Sequence, residues 1–291
     1  MLTPELLHAL RNLPLAARQA AEGFLHGQHY SRQRGAGLEF SQYRPYQPGD
    51  DLRRLDWRLA ARSDRYYLRE SEVEASLTVH LLLDATASMN HRDDNGLTKL
   101  DYARLLLAAL AYLARQQGDA VALTVLHPSG RQHVPSSADD RQLPRLFHTL
   151  EQTTAAGRFP VAAELTTLTA RAQRRLVVCV SDLYEEDAEI RQLLSRLRAT
   201  GAEVLLLHLL AGNELRFTYR GALTFEDLET GRTVQLNADQ QRTGWLRRQQ
   251  AWLRETASAA RRQGFDYHLL DTAEPLDKAL RVFLQRRQTT L

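Results

Sequence analysis

From Leu77 onward the chain alternates short runs that are apolar on both faces with longer amphipathic stretches. The runs Leu77–Leu83, Ala120–Leu126, Leu176–Val180, Val204–Leu209 and Phe265–Leu270 predict strands. Between them, Lys99–Gln116, Arg141–Gln152, Val161–Ala172, Ala188–Ala199, Asp239–Gln263 and Pro275–Arg287 carry apolar residues at helical spacing. Strands without a polar face belong in a mostly parallel sheet covered by helices on both sides. With right-handed crossovers this predicts a doubly wound α/β fold. A hairpin-like insert interrupts the alternation at Ala222–Leu236, with its turn at Thr230-Gly231, and no internal repeat is present.

Residues 1–76 have a different texture. Leu6, Leu7 and Leu10, then Leu15, Ala16, Ala20 and Phe24, read as a helical pattern broken at Pro14. Gly35-Ala36-Gly37 follows, and then a segment dense in Arg, Asp, Tyr and Pro. The expected organisation is an N-terminal helix and polar segment over 1–76 packed on a main domain over 77–288, with the hairpin inserted around 222–236.

Charge narrows the function. Of 38 basic residues only Lys99 and Lys278 are lysines, and 35 acids leave a net charge of +3. That balance argues against a protein built around a long phosphate backbone, which needs a markedly basic stripe. The segment 239–263 keeps nucleic-acid binding as an alternative, with Arg242, Arg247, Arg248, Arg254, Arg261 and Arg262 along one helix. There Trp245, Trp252 and Ala259 recur every seven residues, the pattern of a core-facing stripe backed by a solvated face. Cys179 is the only cysteine, so no intramolecular disulfide forms, which suits a reducing cytosol. The longest apolar run, Leu105–Ala114, falls short of the roughly 18 residues of a membrane span. Glu5, His8 and Arg11 interrupt any signal-peptide core. A cytoplasmic protein is expected.

The chemistry concentrates where strands end. In open parallel sheets ligands gather at the carboxyl ends of strands near the topological switch point. The first sheet strand runs into Asp84-Ala85-Thr86-Ala87-Ser88, which places three oxygen side chains at alternate positions, and a later strand ends in Ser181-Asp182. Carboxylates and hydroxyls are hard donors of the kind Mg²⁺ takes together with water. With no His or Cys in the set, zinc is not expected. Thr98 to Asp101 reads as a capping box, and Asp93 and Asp94, which could approach a cation, read first as a solvated loop. A strand-end Asp also suits a Mg²⁺-dependent phosphohydrolase of the haloacid dehalogenase type. That chemistry needs a second carboxylate two residues on, where Thr86 stands, and a lysine on the phosphate, while Lys99 and Lys278 lie in the first and last predicted helices of the α/β region. There is no His-Glu-x-x-His, Gly-x-Ser-x-Gly or Walker loop, and no catalytic residue is assigned.

The strand-end loop resembles the metal-ion-dependent adhesion site of von Willebrand factor A domains. Asp84, Thr86, Ser88 and Asp182 match that family's first, second, third and last ligands. The resemblance implies a bound divalent cation, Mg²⁺, with one coordination position left for a partner's carboxylate. Its middle threonine corresponds to Phe159 in Gly157-Arg158-Phe159-Pro160, so the implied site lacks one ligand and its Mg²⁺ affinity is expected to be weak or lost. A second resemblance is narrower. Glu39-Phe40, Arg44-Pro45-Tyr46, Pro48-Gly49-Asp50-Asp51, Arg53, Asp56-Trp57 and Ala61-Arg62 are similar to the signature of the domain-of-unknown-function 58 family. Lys99–Ala103 and Phe225–Gly231 fit the same pattern. This resemblance implies a non-enzymatic adaptor with a chemically undefined client, working beside a MoxR-type AAA+ ATPase in chaperone-like or complex-assembly activity.

Within the signature, Pro48-Gly49 is a turn, and Asp50 or Asp51 can cap a short helix carrying Leu52, Leu55 and Trp57. Arg44, Arg53, Arg54, Arg58 and Arg62 alternate with Asp50, Asp51 and Asp56. Such forks suit an internal lattice of Arg–carboxylate pairs anchored by Trp57. Arg, Tyr46 and Trp57 equally suit a partner-docking face. Both readings stand on sequence.

Overall fold

The computed structural model describes residues 12–32, 43–45, 67–69, 77–128, 130–159, 175–184 and 189–290. The chain forms two compact units, residues 1–24 together with 76–291, and residues 25–75. Helix α1 (Leu13–Arg32) begins in the larger unit. Pro14 stands at its start. Pro14 sits in the first turn, where a missing N–H costs nothing, and the Asn12 side chain accepts from the Leu15 N–H at 3.1 Å to cap the helix start. The buried stripe is accordingly Leu13, Ala16, Ala17, Ala21 and Phe24, while Leu15 is 50% exposed.

In the smaller unit β1 (Tyr43–Pro45) pairs antiparallel with β2 (Tyr67–Arg69), setting Arg44 opposite Leu68. Of the signature residues Arg44 lies on β1, and Tyr46, Asp50, Asp51, Arg53, Asp56, Trp57 and Arg62 lie outside the described residues.

The larger unit is built on a six-stranded sheet. Its elements are β3 (Thr78–Asp84), α2 (Lys99–Gln116), β4 (Ala120–His127), β5 (Gly130–Ser137), α3 (Gln142–Gln152), β6 (Arg175–Ser181), α4 (Glu189–Ala199) and β7 (Glu203–Leu210). There follow a one-turn helix α5 (Gly212–Arg216), the hairpin β8 (Ala222–Glu226) and β9 (Thr233–Asn237), α6 (Ala238–Arg262), β10 (Asp266–Asp271) and α7 (Asp277–Thr290). Strand order is β10-β7-β6-β3-β4-β5, parallel throughout except for β5. The doubly wound α/β expectation holds. The predicted helix over Val161–Ala172 lies outside the described residues.

Residue character explains the layout. β3, β4, β6 and β7 are buried at nearly every position, as strands with helices on both faces must be. β5 escaped the apolar pattern because it is a polar edge strand, Gly-Arg-Gln-His-Val-Pro-Ser-Ser, and Pro135 is tolerated only at such an edge. Chain order runs from β3 outward to β4 and β5, then returns to β6 on the other side of β3. The switch point therefore falls between β3 and β6, and their carboxyl ends carry Asp84 and Asp182. In α6 the predicted stripe holds only in part. Trp252 packs inward on Tyr184 and His208, but Trp245 is 40% exposed against Phe217, and the buried positions are Ala238, Gln249, Thr256 and Ala260.

Candidate functional site at the switch point

The loop after β3 is fixed from three sides. Asp84 Oδ1 accepts from the Thr86 N–H at 3.0 Å, closing a tight local turn. The Ala85 N–H donates to the Leu126 carbonyl at the end of β4. The Ala87 N–H donates to the Gly157 carbonyl at 2.8 Å, and Ala156 N–H returns a bond to Ala85. Gly157 has φ +55, and a Cβ there would lie 2.8 Å from Pro128 Cγ, so glycine is required for this clamp. A short 3-10 helix, Ala87–Asn90, then turns Ser88 back beside Thr86, with their hydroxyl oxygens 3.0 Å apart.

The sequence-predicted set Asp84, Thr86, Ser88 and Asp182 is thereby gathered in one buried patch. Asp84 Oδ2 accepts from the Ser181 hydroxyl at 2.6 Å. Burial and then the neighbouring Asp182 push the Asp84 carboxyl up to about 7, against the pull of its hydrogen bonds from Ser181 and Thr86. Asp182 Oδ1 accepts from the Tyr184 N–H at 3.2 Å. Between them Leu183 takes φ 55, a left-handed conformation costly for a branched side chain and held by a bond from its N–H to Ser181 Oγ. Phe159, at the position of the missing threonine, packs on the core cluster that includes Leu82, Leu126 and Leu183.

Three participants were not predicted as site residues. Lys99, the first residue of α2, is wholly buried and places its ammonium 2.6 Å from Asp182 Oδ2 and 3.0 Å from Glu214 Oε1. Desolvation pulls its pKa down, but Asp182 and Glu214 more than offset this and hold it above the ordinary lysine value. Glu214 is fixed in turn by the Ala211 N–H, which donates to its Oε2 at 2.8 Å, and Tyr184 lays its ring 4.8 Å from the ammonium. A signal for Lys99 existed in the sequence. A lysine in the first turn of a helix opposes the macrodipole, so a carboxylate partner elsewhere should be sought.

The third is Glu229. Asp227 Oδ1 accepts the N–H groups of Glu229 and Thr230, its Oδ2 accepts the Thr230 hydroxyl at 2.6 Å, and Gly231 takes φ +70. This turn points Glu229 at the strand-end loop. Burial raises the Glu229 pKa, hydrogen bonding from Ser88 and Thr86 lowers it, and Asp182 raises it further, for a net rise. Its Oε1 is nevertheless buried without a hydrogen-bond partner. The motif Asp227-Leu228-Glu229-Thr230-Gly231 thus has a local structural reason and a destination.

Asp93 corrects the solvated-loop expectation. It is buried, and accepts from Thr272 Oγ1 at 2.8 Å, Asn213 N–H at 3.0 Å and Asp94 N–H at 2.8 Å. Desolvation raises its pKa, yet these bonds win and hold it below the usual carboxylate range. It ties the loop to α5 and the end of β10. Asp94 Oδ2 accepts from the Thr218 hydroxyl at 2.9 Å. The Thr98–Asp101 capping box is present as predicted.

Behind the site His208 is buried and its pKa falls to about 4 through desolvation. The neutral ring donates from Nε2 to the Asp182 carbonyl (2.9 Å) and accepts at Nδ1 from the Tyr267 hydroxyl (2.7 Å). Between about pH 6.5 and 4 the unfolded chain takes up a proton at this histidine that the folded chain refuses, so acidification costs stability. Asp84 has the opposite sign, since its folded pKa is raised and the folded chain binds the proton first. Urea melts of His208→Asn across that window should lose about 3 kcal/mol less on acidification than the wild type. An unchanged acid slope would show that His208 is charged in the fold.

The larger unit is thus a doubly wound α/β domain that carries a buried oxygen-rich site, spanned by one lysine, at its switch point. Residues 42–256 match the family described as protein of unknown function DUF58, and the chain belongs to that family. It is 29% identical over 243 residues to uncharacterized proteins of Mycobacterium tuberculosis and Mycobacterium bovis, covering 81% of this chain and 75% of those proteins. Among solved structures it is similar to the conserved hypothetical protein BatB from Bacteroides thetaiotaomicron (13% identity, TM-score 0.48, 74% of this chain and 100% of that one). It is also similar to the SpRpn10 VWA domain (12% identity, TM-score 0.39, 72% and 95%). Among the described residues no helix is long and apolar enough to cross a membrane.

Proposed function

We propose that this chain is a non-enzymatic, cytoplasmic protein-interaction module that docks a MoxR-type AAA+ ATPase through the face formed by the Asp84 loop and the β8–β9 hairpin. The observation that carries the reading is the pairing of Asp84 and Asp182, two buried carboxylates kept side by side at the switch point. Such an arrangement lowers stability, and proteins retain it where a surface has work to do. Chemistry on a substrate is poorly served here. The position two residues beyond Asp84 is a threonine whose hydroxyl meets Ser88, and Lys99 is sequestered between Asp182 and Glu214. The adaptor role and the ATPase partner are what the resemblance of the sequence to the DUF58 family implies.

The donor set suits Mg²⁺. Thr86, Ser88, Asp84 and Asp182 offer hard oxygens, Glu229 Oε1 is a buried acceptor without a hydrogen-bond partner, and Asp182 and Glu214 share the Lys99 ammonium. Among the described residues no three acidic, His or Cys side chains form a cage, so hydroxyls and water must complete the coordination. When bound, the ion would neutralise this cluster and offer a docking point for a carboxylate.

Calorimetry of the purified chain with the MoxR-type ATPase of the same organism tests the reading. Asp84→Ala should weaken binding by about tenfold or more, the loss of a hot-spot contact. Equal affinity in wild type and variant, both folded by circular dichroism, would overturn it.

A further inference from the structure

We infer that the apolar face of the β8–β9 hairpin, together with Trp245 and its flanking arginines on α6, is a docking surface for an acidic amphipathic helix of a partner protein. The surface is separate from the Asp84 carboxylates, and its test needs neither Mg²⁺ nor the ATPase.

Exposure sets this region apart. Of the six large hydrophobic side chains exposed among the described residues, Leu223, Leu228, Val234 and Trp245 all lie on the hairpin or the first half of α6. Exposed apolar side chains that cluster mark interaction sites, whereas scattered ones do not. The register explains why the hairpin has an apolar face. Leu223 stands opposite Leu236 and Phe225 opposite Val234, so the period of two puts all four on one side. The chain covers only part of that side. Phe225 stacks on Phe217 at 6.0 Å and Phe217 meets Trp245 at 5.6 Å, while Val234 stays 58% exposed. An apolar strip therefore runs from Val234 to Trp245, rooted on the buried Phe217 and exposed at both ends.

Charge identifies the occupant. Arg242 and Arg248 stand three residues before and after Trp245, on its face of the helix. Arg248 folds back over Gly244, its Nη1 lying 3.5 Å from where a Cβ there would sit. Arg242 reaches only the Arg216 carbonyl, at 3.5 Å. Arg232 shares the side of Val234 by the same alternation. All three arginines are exposed, and none has a carboxylate partner among the described residues. The exposed acids nearby are turned away or engaged. Glu226 falls on the other side of the hairpin, Asp227 holds its own turn, and Asp239 Oδ2 accepts the Gly221 N–H at 2.8 Å. A tryptophan anchor between uncommitted arginines has the composition of a binding hot spot, and its field favours carboxylates. Leu223 and Val234 add aliphatic contact, which suits the leucines of a helix better than nucleic-acid bases, whose partners are aromatic rings. Two strands about 4.8 Å apart, flanked by α6, offer a seat for the apolar stripe of one helix about 10 Å across.

The full chain is titrated in EDTA into a fluorescein-labelled helical peptide of about 20 residues, with leucines along one face and glutamates on both flanks, and anisotropy is read. The wild type should bind with a Kd of about 100 μM or tighter, weakening as salt rises. Arg242→Glu combined with Arg248→Glu should lose about tenfold or more, and so should Trp245→Ala. Arg254→Glu, the same charge change at an exposed position further along α6, should retain wild-type affinity. Trp245 also packs on Phe217, so urea melts check that variant, and the arginine pair, at exposed positions, carries the test if Trp245→Ala unfolds. No binding, wild-type affinity in the arginine pair, or equal binding of a peptide with lysines for glutamates or with its leucines scattered would each overturn the assignment. Tighter binding of single-stranded DNA or of phosphatidylserine vesicles would overturn it in favour of a nucleic acid or a membrane surface. A dimer of the chain that Trp245→Ala dissociates would assign the face to a second copy instead.

Discussion

Lys99→Met should unfold at markedly lower urea than the wild type, with a loss of about 3–5 kcal/mol at pH 7 in EDTA. The methionine keeps most of the volume, so the cost is electrostatic. Asp182 Oδ2 and Glu214 Oε1 would lose their shared ammonium in a place that water does not reach. Replacing one member of a buried ion pair strands the other, whereas removing both charges is close to neutral. Lys99→Met combined with Asp182→Asn and Glu214→Gln should therefore recover much of the loss. Lys99→Arg should not rescue fully, because a planar fork does not fit between two carboxylates set for a point charge. A loss below about 1 kcal/mol, the size of an exposed pair, would show that the cluster is solvated in solution.

The fold was legible because the inner strands bury both faces. Runs such as Leu176–Val180 leave no alternative to a covered parallel sheet, and the observed β6 extends that run by only one residue at each end. Edge elements were hidden for the complementary reason. β5 has no apolar run to announce it, and α5 is a single turn held by Glu214 rather than by a stripe. The site divides the same way. Asp84, Thr86, Ser88 and Asp182 were readable because strand-end oxygens at alternate positions follow from the sheet alone. Lys99 and Glu214 stand 115 residues apart, and only the fold brings them together. Asp93 failed for another reason. A carboxylate in a loop reads as solvated, and nothing local foretells the hydroxyl of Thr272 from the far end of the chain.

Arg287→Met should cost about 3–5 kcal/mol as well, and should do so far from the site. Arg287 on α7 grips Asp119 through Nε at 2.5 Å and Nη2 at 3.0 Å, both groups being almost wholly buried. Asp119 Oδ1 also accepts from the Leu77 N–H at 3.1 Å, so one carboxylate joins the last helix to the entries of β3 and β4. The bidentate fork is a geometry that lysine cannot reproduce, and Arg287→Lys should recover less than half of the loss. Arg18, paired with Glu22 on the surface of α1 at 2.8 Å, supplies the contrast. Its replacement by methionine should leave the urea midpoint close to that of the wild type, because water and salt already screen both charges. Equal effects at positions 18 and 287 would mean that the arginine content acts as bulk charge. Unequal effects in the expected order place its value in a few desolvated forks, and make Asp119 the residue through which the carboxyl-terminal helix holds the sheet that carries the site.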